Sequence, residues 1–167
     1  MKSMKTLEDL LAHELKDLLS AEKQITKALP KMIKATSSDD LRQALQGHFD
    51  ETQQHLSRLE QICQQLDIPT RGAKCPAMEG IIEEGDEALK ADMEDMVRDA
   101  AIIAACQRVE HYEIAGYGCA RTFAQQCGHQ EIADLLQQTL DEEKAADEKL
   151  TQIAMGHVNE EALAGAR

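Results

Sequence analysis

Apolar residues recur along this chain at steps of three, four and seven, the period that gathers them on one side of an α-helix. Leu7, Leu11, Leu18, Ile25, Leu29 and Met32 define a first helix over about residues 5–35. Pro30 falls inside it, so a kink or a last turn is expected there. The pattern breaks over residues 35–40, where Ser37 followed by Asp40 reads as a helix N-cap. Leu41, Leu45, Leu59, Ile62 and Leu66 carry a second helix over about 39–66, which stops before Pro69. Residues 67–93 form a crossover, with a loop-like run from Pro69 to Met78 and a short acidic helix over Glu79–Met93. An alanine-rich third helix follows over about 94–126, punctuated by Cys127, Gly128 and His129. Gly128 suits the left-handed position that ends many helices. Ile132, Leu136, Leu150 and Ile153 mark a fourth helix over about 130–155, and residues 156–167 form a small polar tail without a core pattern.

Connection lengths constrain how these helices assemble. Short turns make helices one and two, and helices three and four, antiparallel hairpins. The crossover of about 27 residues is long enough to run the length of a bundle. The expected fold is all-α: one ferritin-like four-helix bundle of two antiparallel hairpins joined by a long crossover with a short helix in it. Two up-down pairs on a loose linker is the weaker arrangement.

Composition agrees and removes several function classes. Only 2% of residues are aromatic and none is Trp, while Ala, Leu, Glu, Gln and Lys abound, which favours helices over strands. A formal net charge of −13 with no basic stripe argues against nucleic-acid binding. No run has the length of a membrane span. The start of the chain lacks the apolar core of a leader, and a cytoplasmic location is expected. Cys63, Cys75, Cys106, Cys119 and Cys127 are odd in number and lack CxxC spacing, so reduced thiols are expected rather than a disulfide framework or a zinc site.

Each helix interrupts its apolar stripe with groups that resist burial. Glu22 sits between Leu18 and Ile25; Glu51 and His55 precede Leu59 and Ile62; Glu110 and Glu113 follow Cys106 and lead to Tyr117; Glu143 and Asp147 fall between Leu136 and Leu150. Residues three or four apart share a helix face. If the first turn is centred near Ser37 and the second near Gly128, Glu22 lies opposite Glu51, Glu110 opposite Asp147, and Glu113 opposite Glu143, all at mid-height. Glu14 pairs about two turns from that level, and His48, a further turn from His55, reads as a supporting or core group. Several buried carboxylates at one level repel, and divalent cations remove that cost. Carboxylates with one imidazole suit iron or manganese, and bridging Glu residues can hold two ions in a helical bundle. The predicted ligand set is Glu22, Glu51, His55, Glu110, Glu113, Glu143 and Asp147, holding two divalent metal ions, iron first and manganese second. Glu51 and Glu143 would bridge or cap, and Tyr117 would stand nearby as a redox or hydrogen-bonding group.

The segments Glu14–Gln24, Lys74–Gly80, Val109–Gly118 and Glu142–Leu150 resemble the YciE/YciF-type ferritin-like stress proteins of bacteria. The resemblance covers about residues 5–155, and the Val109 and Cys75 segments are fairly specific. It implies a ferritin-like bundle, a homodimer, induction under stress and a rubrerythrin-like dinuclear site of the ferroxidase kind. Such sites use Glu-x-x-His, whereas here the spacings are Glu51-x-x-x-His55 and Glu143-x-x-x-Asp147, with the second His replaced by a carboxylate.

The leading functional expectation is an oxidoreductase that binds two metal ions and reacts with dioxygen or peroxide. A peroxidase-like action needs an external electron donor, because no rubredoxin-type cysteine motif is present. The alternative is a non-enzymatic helical stress or interaction protein with a structural metal or none. Mineral storage in a closed shell comes third.

Overall fold

The computed structural model describes residues 4–72 and 74–165. Met1 to Ser3 at the start read as leaderless, Ala73 in the loop-like run and the last two residues of the tail lie outside them.

The helices are α1 (Leu7–Ala35), α2 (Asp39–Gln65), α3 (Pro76–Lys90), α4 (Asp95–Gln126), α5 (Gln130–Ile153) and α6 (Asn159–Ala164). Thr6 and Asp9 close a reciprocal capping box at the start of α1, which runs on to Ala35 past Pro30. The cap of α2 is Ser38, one residue later than the sequence pattern placed it. The reason lies on α4. Buried Asp99 accepts the Ser37 N–H at 2.9 Å and the Ser38 N–H at 2.6 Å, pinning the α1–α2 turn from outside the hairpin. Gly128, at φ 82°, ends α4 with the His129 N–H donating to the Ala124 carbonyl at 2.9 Å, the bond of a Schellman motif.

The inward stripes step alternately by four and three. On α1 they run Leu11, Leu15, Leu18, Glu22, Ile25, Leu29, Met32, all buried. On α2 the run is Leu41, Leu45, His48, Thr52, His55, Leu59, Ile62, and on α4 Asp99, Ile103, Cys106, Glu110, Glu113, Tyr117, Ala120, Ala124. A mean step of 3.5 keeps each stripe turned to its neighbours in left-handed bundle packing. The four long helices form a ring, with α1 against α2, α2 against α5, α5 against α4, and α4 against α1. This is the ferritin-like arrangement of two hairpins and a crossover.

The crossover helix α3 lies against α1 and α4. It begins at Pro76 rather than Glu79, because Cys75 caps it and proline at the first turn forfeits no bond. Cys75 is buried and ties α3 down: its N–H donates to Ser20 Oγ at 2.9 Å and its carbonyl accepts from Gln24 Nε2 at 3.0 Å. The chain also stays helical after Ile153, through a π-helical turn at Ala154–Val158 into α6. Val158 is fully buried, so the tail carries a core residue that its polar sequence concealed. No helix of the described residues is long and apolar enough to cross a membrane.

The apolar interior is in two parts. One gathers Leu11, Leu15, Leu18, Leu59, Ile62 and Leu136 with their neighbours; the other gathers Ile25, Leu29, Leu45, Met78, Ile102 and Leu150. Between them along every stripe lies a layer of polar side chains.

Candidate metal centre

That layer is built from six side chains, all buried: Glu22 on α1, His48 and His55 on α2, Glu110 and Glu113 on α4, and Glu143 on α5. Each occupies a position where its helix would otherwise place an apolar residue. His48, Glu110, Glu113 and Glu143 form one group whose potential ligand atoms lie within 4.8 Å of one another; Glu22, His55 and Glu143 form a second. Glu143 belongs to both. Two adjoining groups, each of a size that could hold a metal ion, thus share a carboxylate.

The imidazoles face the carboxylates directly. His48 Nε2 lies 3.1 Å from Glu110 Oε1, and His55 Nδ1 lies 2.9 Å from Glu143 Oε1 and 3.6 Å from Glu22 Oε1. The other nitrogen of His55 is held from behind. Nε2 is 2.9 Å from Glu142 Oε2, and Arg58 Nη1 donates to the same oxygen at 2.9 Å. A carboxylate on the far nitrogen fixes ring orientation, as behind metal-binding histidines generally. Tyr117, also buried, donates its hydroxyl to Glu22 Oε1 and stacks edge-on to His55 with ring centroids 6.4 Å apart. Thr52, between the two histidines, donates to the His48 carbonyl at 2.8 Å and so satisfies itself within its own helix.

Hydrogen-bond accounting shows what the layer lacks. Apart from the His48–Glu110 and His55–Glu143 contacts, both carboxylate oxygens of Glu110, Glu113 and Glu143, Glu22 Oε2, both ring nitrogens of His48 and Nδ1 of His55 are buried without a hydrogen-bond partner. Buried polar atoms normally find partners, since leaving one unmet costs about 1–3 kcal/mol and more when charged. The electrostatics agree. Burial, with Glu143 adding repulsion, pushes Glu22 up to about 7; burial pushes Glu110 up to about 8 and Glu143 up to about 7. Glu113 is raised well above the ordinary carboxyl range, again chiefly by burial and then by Glu143 and Glu22. For His55, burial opposes the cation, but contact with Glu143 and the nearby Glu22 and Glu142 outweighs it and pushes the ring up to about 9. Desolvation holds the Tyr117 phenol well above its usual value, so it stays a proton donor. Convergent oxygen and imidazole donors, unmatched by protein donors and crowded with like charge, fit divalent cations.

Not every residue in the predicted set reaches this layer. Glu22, His55, Glu110, Glu113 and Glu143 do. Glu51 does not: its side chain is exposed, because the inward face of α2 passes through His48, Thr52 and His55, and position 51 is a quarter turn behind Thr52. Asp147 stays at the α4–α5 edge, where Gln107 Nε2 donates to Oδ1 at 3.1 Å and His111 Nε2 lies 3.2 Å from Oδ2. His48 takes a place that sequence reasoning withheld from it. The signal was there in the unbroken steps from Leu41 to Ile62, which put both histidines on the core face. The spacing on α2 that corresponds to Glu-x-x-His is therefore Thr52-x-x-His55, with the acid missing and His48 one turn earlier.

Known proteins share this architecture. A family described as a domain of unknown function, DUF892, matches residues 6–163. Protein YciF of Escherichia coli strain K12 is 48% identical over 161 residues, which is 96% of this chain and 97% of that protein. The crystal structure of the E. coli stress protein YciF superposes with a TM-score of 0.89, covering 93% of this chain and 99% of that one. YcfI of Rhodopseudomonas palustris, a candidate structural protein, is 47% identical with a TM-score of 0.85, covering 90% and 96%. A Xanthomonas campestris protein at 22% identity and a TM-score of 0.72, covering 95% and 94%, shares the fold. With a family match spanning nearly its whole length and a relative identical at almost half its positions, this chain belongs to the DUF892 family of ferritin-like helical bundles.

Proposed function

We propose that the buried layer is a dinuclear divalent-metal site, iron in the first place and manganese in the second, in a stress protein with ferroxidase- or peroxidase-like redox activity. One ion would be held by His48, Glu110 and Glu113, the other by Glu22 and His55, with Glu143 common to both. The observation that carries the reading is the set of buried, unpartnered carboxylate and imidazole atoms converging from four helices. When bound, a pair of iron ions would supply electrons to dioxygen or peroxide. The chain's own part is orientation and exclusion. Arg58 and Glu142 hold His55, Tyr117 presents a proton to Glu22, and the apolar layers above and below keep bulk water out. Five free thiols among the described residues fit a reducing cytoplasm, and a peroxidase cycle would draw electrons from a separate donor. The stress role rests on likeness to the E. coli protein, and the homodimer on the family resemblance.

The relative described as a candidate structural protein favours a second reading, in which the same cations brace the bundle without turnover. One experiment separates them. Protein purified without chelators is assayed for metal, alongside Glu110→Ala with Glu143→Ala, and then mixed with iron(II) under an oxygen electrode. Bound metal with oxygen consumption, both lost in the double variant, supports the redox reading. Bound metal without oxygen consumption favours the structural one, and a wild type that binds no metal refutes both.

A further inference from the structure

Glu51 is outside the metal layer yet close to it. Between α2 and α5 lies a surface cleft of about 190 Å³, lined among others by exposed Glu51, by Glu142 and by buried His48. His48 is buried, and its Nδ1 lacks a hydrogen-bond partner. The same ring touches Glu110 of the metal layer at 3.1 Å, so the cleft and the layer meet at one side chain.

The cleft is kept open by small residues. Ala44 and Gly47 of α2 face Ala145 and Ala146 of α5 across it. Gly47 is the informative one. A glycine inside a helix weakens it, and packing usually explains why one is retained. Here packing does not explain it: a Cβ at position 47 would meet nothing within 4 Å. Gly47 is exposed, and what its missing side chain leaves is open space on the α2 wall of the cleft. Of the two carboxylates, Glu142 is already engaged by Arg58 and Gln138, whereas Glu51 is exposed. Among the described residues lining the cleft, Lys149 on the α5 wall is the one lysine or arginine.

We propose that this cleft is the route by which hydrated divalent cations reach the buried layer, with Glu51 at the mouth passing them to His48. The proposal rests on reading the layer as a cation site. It gives Glu51 a transit role: it raises the local cation concentration by its charge and releases the ion to better ligands within. A transit carboxylate changes rates of binding and release together and leaves equilibrium occupancy alone.

The test is stopped-flow uptake of cobalt(II), followed by its visible absorption, into chelator-treated protein. Wild type is compared with Glu51→Lys, Gly47→Leu and the charge control Glu84→Gln, which is exposed on α3. Each variant is first checked for unchanged helical content and melting. Expected is full final occupancy in all four, with uptake and release both slowed about tenfold in Glu51→Lys and Gly47→Leu, and neither slowed in the control. The Glu51→Lys effect should shrink as salt is raised. Unchanged rates in both cleft variants overturn the route while leaving the site intact. Lowered final occupancy in Glu51→Lys with unchanged rates in Gly47→Leu also overturns it, by making Glu51 a ligand. No uptake by wild type overturns the metal site and the route with it.

Discussion

Free of cations, this protein should lose stability as pH rises, the reverse of ordinary acid denaturation. Folding raises the carboxyl groups of Glu22 and Glu143 from 4.5 to about 7 and that of Glu110 to about 8, chiefly by burial. A carboxyl raised by folding binds its proton more tightly in the folded chain. Its stabilisation is complete below the unfolded value of 4.5 and is lost as pH rises through 7 to 8. His55, raised to about 9 by Glu143 and its neighbours against the opposing effect of burial, acts in the same direction above 6.5. At 1.36 kcal/mol per pH unit, Glu143 alone loses about 2 kcal/mol between pH 5.5 and 8. For a domain of this size that lowers the melting temperature by about 4–8 °C, and the other groups add to it. Against a typical total of about 5–15 kcal/mol this is a large share. The assay is thermal melting by circular dichroism of chelator-treated protein at half-unit steps from pH 5.5 to 8. Glu143→Gln should flatten the decline by the share of one proton, and excess manganese(II) should restore the wild type at pH 8. A melting temperature that is level or rises across this range would refute the argument.

Further outcomes follow from the same geometry. On the proposed two-ion reading, His48→Ala should bind one ion fewer than the wild type by metal analysis, whereas Asp147→Ala, whose carboxylate is occupied by Gln107 and His111, should bind as many. Asp99→Ala leaves the Ser37 and Ser38 N–H groups without their buried acceptor and should cost about 3 kcal/mol in urea unfolding, although Asp99 is far in sequence from the turn it holds. Gly47→Ala, with room for its Cβ, should stabilise the bundle by about 0.5–1 kcal/mol in the same assay.

Much of the fold was legible because helical bundles write themselves locally. The 3.5-residue stripe, the cap read at Ser37 and found at Ser38, and the glycine at 128 each act within a few residues, and the connection lengths then leave few topologies. The π-helical turn and α6 were hidden because one buried residue, Val158, holds them, and a single apolar position has no period to detect. The site was half legible for a related reason. Opposing residues across a hairpin turn fixes height along the bundle, and every residue in the layer is near that height. Azimuth is a separate coordinate. Glu51 and Glu22 share a level, but Glu51 is turned to solvent while His48 and His55 are turned inward.

The sequence by itself therefore determined that carboxylates and imidazoles would interrupt a helical core at mid-bundle, since burial period and charge are properties of one helix at a time. Only the tertiary structure decided which of them meet. It excluded Glu51 and Asp147, admitted His48 and placed Glu143 in both groups, because convergence depends on how four helices are rotated about their axes against one another, and that rotation is set by packing across the whole core.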